Sequence, residues 1–130
     1  MVTSDNPKNI AAKARVKLSY IPPVALAHCA HALMDGAVKY GPYNWRDKSI
    51  ALMEYISAAQ RHLLDFTDGE ETAPDSLCHH LGHAMASCAI MLDAIERKNA
   101  IDDRPTKGNV PETFKRIENK FLTAQATKAK

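Results

Sequence analysis

At 130 residues, 45% of them hydrophobic and 25% charged, the chain suffices for one folded domain and is too short for a two-domain enzyme. No stretch reaches the roughly 18 consecutive apolar residues of a membrane span, and the opening MVTSDNPKNIAAKARVK has no apolar signal core, so a soluble cytoplasmic protein with no membrane partner is expected. A net charge of +2 gives no reason for a stable nucleic-acid partner, and the three cysteines, Cys29, Cys78 and Cys88, are too few and too odd in number for a disulfide framework.

Helix signals dominate in chain order. Residues 1–20 form a basic arm. Pro22 and Pro23 open an Ala-rich helix over about 23–39, which Gly36 or Gly41-Pro42 ends. GPYNWRDKS reads as a loop, with Asp47 or Ser49 as the cap of a second helix over about 49–66, whose stripe is Leu52, Tyr55 or Ile56, Ala59, Leu63 and Phe66. A turn through TDGEETAP leads to Asp75 or Ser76 as the cap of a third helix, about 75–97. Its seam of Leu81, Met85, Cys88, Leu92 and Ile95 steps by four, three, four and three, as bundle helices do. After a polar connector, a fourth helix runs from Val110 to about Ala124 through Phe114, Ile117 and Phe121 or Leu122, and the last residues fray. The fold class is all-α, a four-helix bundle, divided into the arm (1–20), a helical catalytic core (21–99) and a connector, C-terminal helix and basic tail (100–130).

The charges are unevenly spread. The two ends are each net +3, whereas residues 21–99 hold six bases, ten acids and all six histidines. A solvated acidic face is one reading of this, and a divalent-cation site the other. His79, His80 and His83 lie within five residues, and at 100° per residue His80, His83 and Ser87 fall opposite the apolar seam. Gly82 among them costs a helix about 1 kcal/mol relative to alanine, which points to a close approach to its backbone. Glu70, Glu71 and Asp75 precede this helix, His62 and Asp65 end the previous one, and Glu54, Arg61 and Asp65 share a face. If the two helices are antiparallel neighbours, Glu70, Asp75, His80 and His83 surround one corner, with Glu54, His62 and Glu71 in reserve. Oxygen donors with added imidazole suit Mg²⁺ or Mn²⁺. Zinc on Cys78, His79, His80 and His83 is the rival, although four ligands so close along one helix cannot all converge.

The segment from Gly36 to Arg46 gathers two cations, an amide and three aromatics, a set able to hold phosphate and stack on a base. Lys39, Asn44, Trp45 and Arg46 are its candidate substrate contacts; the bland alternative makes Trp45 a plug of the bundle. No phosphate-binding glycine loop, His-Glu-x-x-His, Gly-x-Ser-x-Gly or His-Asp pair is present.

Lys17-Leu18-Ser19-Tyr20-Ile21-Pro22-Pro23, GAVKYGPYNWR, Arg61-His62-Leu63-Leu64, Gly69-Glu70, Asp75-Ser76 and His80-Leu81-Gly82-His83-Ala84 follow one another in a familiar order. Together, over residues 17 to about 95, they resemble the phage dATP/dGTP diphosphohydrolase N-terminal family, itself similar to MazG-like all-α pyrophosphohydrolases and including the MazZ enzymes. The resemblance implies hydrolysis of a purine (deoxy)nucleoside triphosphate, foremost dGTP or GTP, to monophosphate and pyrophosphate with Mg²⁺ or Mn²⁺. It also implies a homo-oligomer, dimer or tetramer, acting in the host cytoplasm, with dGMP feeding 2-aminoadenine nucleotide synthesis. Glu70, Asp75 and Arg61 are then the candidate catalytic residues. The chain departs from the pattern at Ala73, where an acid is expected, at Leu77, where a glycine is expected, and at Ser87, where an asparagine is expected; Glu71 or Glu54 then stands in for the missing oxygen. A helical module that binds nucleotide or zinc without catalysis is the alternative, and Ala73 is the residue that favours it.

Overall fold

A computed structural model describes residues 6–129; Met1 to Asp5 of the arm and Lys130 of the tail lie outside the described residues. Six α-helices are found there: α1 (Pro7–Ala14), α2 (Pro23–Tyr40), α3 (Asn44–Asp47), α4 (Leu52–Thr67), α5 (His80–Glu96) and α6 (Val110–Lys128). The all-α class holds, with two helices more than the four expected. Both extra helices escape a search for apolar seams. α1 is started by the Asn6 cap and Pro7 and buries nothing, and α3 is a single turn entered through Tyr43 at φ 56°. Among the described residues no helix is long and apolar enough to cross a membrane.

The centre of the fold is α5, flanked by α2 and α4. β1 (Ile50–Ala51), immediately before α4, pairs in parallel with β2 (Ala100–Ile101), just after α5. That pairing joins the start of α4 to the end of α5, so the two helices run antiparallel. α2 passes through Gly36 and stops at Gly41, whose φ of 88° an L side chain rarely adopts. The C-terminal helix continues to Lys128, past the fraying expected after Ala124.

Two corrections concern α5. It begins at His80, capped by His79, and not at Asp75 or Ser76. The intervening residues make a tight turn in which Ala73 N donates to Cys78 O, Leu77 N donates to Ala73 O and His80 N donates to Glu71 O. Leu77 there has φ 62°, so the position at which the family resemblance leads one to expect glycine is left-handed. Secondly, the large-residue seam is not the buried face. Leu92 is 69% and Ile95 51% exposed, and Leu81 and Cys88 are exposed too. His80, Gly82, Ala84, Ala86, Ser87 and Ala94 are buried in their place. Small side chains let α5 approach its neighbours closely: a Cβ added to Gly82 would lie 2.5 Å from the His28 carbonyl oxygen of α2. The second helix has no capping side chain from Asp47 or Ser49; its cap position is Ala51.

Candidate active site

Between the C-terminal half of α2, the α3 segment, α4 and α5 lies a cavity of about 620 Å³. Its lining includes Lys39, Tyr43, Asn44, Trp45 and Arg46 on one side and His62 and His83 on the other. The α3 segment is held in place by one carboxylate. Asp93 of α5 accepts from Trp45 Nε1 at 2.7 Å and from Arg46 Nε and Nη2 at 2.9 Å each, and these partners, Arg46 first, pull its pKa down to about 2. Asn99 Nδ2 donates to the Trp45 and Lys48 carbonyls at 2.6 and 3.2 Å, closing the other end of the turn. The Arg46 guanidinium lies 4.5 Å from the Tyr43 ring centroid, and the Tyr43 and Trp45 centroids are 5.2 Å apart. Lys39 Nζ meets Asp35 at 2.9 Å and Asp75 at 3.9 Å, and the bond to Asp35 raises its pKa.

The imidazoles link this cavity to a carboxylate corner. His62 and His83 stack with centroids 4.4 Å apart and planes 14° from parallel. His62 Nδ1 lies 2.9 Å from His80 Nδ1, and His80 Nε2 lies 2.6 Å from Glu70 Oε1. A carboxylate only accepts, so His80 donates from Nε2, and in that tautomer its Nδ1 accepts from His62 Nδ1. Burial first, then neighbouring imidazoles, lowers the His62 pKa; burial leads at His83 as well, against the attraction of Asp35 and Asp75. Ser76 Oγ sits 2.8 Å from His83 Nε2 and fixes that ring.

Ligand atoms of Asp65, Glu70 and His80 all lie within 4.8 Å of one another. Among the described residues neither carboxylate has a lysine or arginine partner, so two acids converge on one buried imidazole without a fixed cation. That donor set fits a hard or borderline divalent ion such as Mg²⁺ or Mn²⁺.

The expected residues are distributed as follows. Glu70 and His80 meet in the corner, and His62, given only as a reserve, bridges from it to the cavity. His83 faces Ser76 and His62. Asp75 is 77% exposed at its side chain and approaches Lys39, outside the Asp65, Glu70 and His80 group. Glu71 is exposed and joins the turn through its carbonyl, which accepts from His80 N. Glu54 is eleven residues from Asp65 on the same helix, about 16 Å along its axis, so the two cannot share an ion. Arg61 is exposed and absent from the cavity lining. Cys78 is fully buried with its Sγ donating to the His31 carbonyl, turned away from a zinc set with the histidines. Ala73, the missing acid, is buried, and the corner draws its second carboxylate from Asp65. Two residues lie outside the expected ligand and contact sets. Asp65, which the sequence places beside His62 at the end of its helix but not among the ligands, enters the corner, and Asp93, whose only signal is being a lone acid inside SCAIMLDAI, holds the α3 segment.

Residues 5–104 match the family model described as "dATP/dGTP diphosphohydrolase, N-terminal". No curated protein and no solved structure matches the chain.

Proposed function

Because the chain belongs to the dATP/dGTP diphosphohydrolase N-terminal family, a family named for a hydrolase, we propose that it cleaves a purine (deoxy)nucleoside triphosphate, foremost dGTP or GTP, to the monophosphate and pyrophosphate. The observation that carries this reading is a cavity with an aromatic, cation-bearing wall at Lys39 to Arg46 and a histidine wall leading to paired carboxylates. Such a site has one end for a base and another for charged phosphates.

Asp65, Glu70 and His80 are the residues to hold a divalent ion, which would take the place of the proton that His80 Nε2 donates to Glu70. A Mg²⁺ or Mn²⁺ ion bound there supplies charge neutralisation for the phosphates and lowers the pKa of water. Trp45 and Tyr43 border the base, Asn44 offers an amide to its edge, and Asp93 keeps their turn rigid before substrate arrives. Lys39 is the cation free to swing from Asp35 to a phosphate, since Arg46 is already held by two bonds to Asp93. Hydrolysis adds a water oxygen to the α-phosphorus, breaks its bond to the bridging oxygen of the β-phosphate, and releases pyrophosphate. The water proton needs an acceptor, and the lowered pKa values of His62 and His83 keep both rings neutral and able to take it near pH 7.

The test is product analysis. Purified protein is incubated with dGTP, GTP, dATP and dCTP, each with Mg²⁺ or Mn²⁺, and the products are separated. Equal amounts of purine monophosphate and pyrophosphate support the proposal. Diphosphate with phosphate, nucleoside with tripolyphosphate, preference for dCTP, or no turnover overturns it.

A further inference from the structure

Among the described residues, two helices carry apolar seams left largely open to solvent. On α5 the seam is Leu81, Met85, Cys88, Leu92 and Ile95, of which Leu92 and Ile95 are more than half exposed. On α6 it is Val110, Phe114, Ile117, Phe121 and Ala124, and the first four are 56–63% exposed. The two rows have the same length and the same four, three, four, three spacing, the repeat by which helices interlock side by side. Their polar surroundings are opposite in sign. α6 carries Lys115, Arg116, Lys120 and Lys128 against Glu112 and Glu118, net +2, whereas α5 carries Asp93 and Glu96 and no lysine or arginine, net −2.

We propose that α6 of a second copy lies along the outer seam of α5, and that the exchange is mutual, giving a twofold dimer in which each chain contributes its C-terminal helix to the other. The exchange runs between chains because within one chain α6 stands clear of the core with its seam exposed. The connector from Asp102 to Asn109 is non-helical and contains Pro105 and Gly108, so it can hold α6 away from its own α5. A reciprocal exchange covers both seams in each chain and leaves neither seam open. The inference does not depend on the substrate assigned above, and it gives a role to a helix beyond residue 104, where the family match stops.

Full overlap of the two rows puts Cys88 opposite Ile117 whether the helices run parallel or antiparallel, because each is the third of five positions. The test uses full-length Ile117→Cys protein, prepared as an equal mixture of unlabelled and ¹⁵N-labelled chains and exposed to a mild oxidant such as diamide. The expected product is a covalent dimer whose peptide map contains Cys88 joined to the introduced thiol in mixed light–heavy pairs. The same pair found only within one isotope class and one chain means intrachain docking, and a link between two introduced thiols means α6 pairs with itself; either overturns the proposal. Sedimentation of the unmodified protein provides the second reading, with a dimer mass expected. Leu92→Glu and Phe121→Glu should each return it to a monomer with unchanged helix content by circular dichroism. A monomer at all concentrations before substitution, or a dimer that survives both changes, also overturns it.

Discussion

α5 has two faces built by opposite rules. The inner face is made of His80, Gly82, Ala84, Ala86, Ser87 and Ala94, and all are buried; the outer face is made of larger aliphatic residues and is largely exposed. Apolar size is therefore a poor guide to which side of a helix faces its own chain. Small residues allow backbones to come close, and a buried histidine is tolerated where its nitrogens are paired, as His80 is with His62 and Glu70. The inner face positions chemistry, and the outer face is surplus apolar surface that a single copy does not cover.

Substitution of the carboxylates that meet His80, at the start of the inner face, should have the largest effect. Glu70→Gln and Asp65→Asn each remove one charge from the corner, and turnover should fall about 100-fold or more, with the apparent affinity for Mg²⁺ or Mn²⁺ weakened in parallel. Asp75→Asn, outside that group, should cost less than either. Equal losses at all three positions would show that the corner is drawn too narrowly, and titration of activity against metal concentration distinguishes the cases.

The packing contrast comes next. Gly82→Ala gains about 1 kcal/mol of helix propensity, yet its methyl meets the His28 backbone, which cannot swing aside as a side chain can. A net loss of about 1–3 kcal/mol is expected by urea denaturation. Leu92→Ala, on the outer face at 69% exposure, should change the folding of a single chain by no more than about 0.5 kcal/mol, measured at protein concentrations low enough to keep it monomeric. If Leu92→Ala proves the more damaging of the two, the assignment of faces is inverted.

A smaller effect is expected at the far end of the same face, where Asp93 holds Trp45 and Arg46. Its pKa is depressed from 3.8 to about 2, so the clamp contributes fully above pH 4 and is lost as the pH falls through 2. Trp45 fluorescence should change over that interval, and Asp93→Asn should show the altered signal already at neutral pH. With nucleotide, Asp93→Asn and Trp45→Ala should each raise KM more than they lower kcat, because contacts to the base are made in ground and transition states alike.

The smallest effect is a gain. Leu77 is 71% exposed and sits at φ 62°, so Leu77→Gly relieves a left-handed conformation while losing little packing. Set against the greater chain entropy of glycine, a stabilisation of about 0.5–1 kcal/mol should appear in the melting temperature.

Local rules in the sequence determined much of this protein: the four main helices, the close approach at Gly82, and the family pattern from Lys17 to Ala84, since each is written within a few consecutive residues, whereas the choice between Gly36 and Gly41 as the end of α2 was left to the structure. The grouping of His62, His80 and Glu70 was partly legible too, because antiparallel neighbours bring the end of one helix to the start of the next. Only the tertiary structure decided that α5 turns its histidines inward and its leucines outward, that Asp65 joins the corner, and that Asp93 reaches Trp45 across 48 residues. Periodicity marks two faces of a helix without saying which one another helix will approach. That choice depends on how closely backbones can pack and where polar groups find partners, and both are properties of segments far apart in the chain.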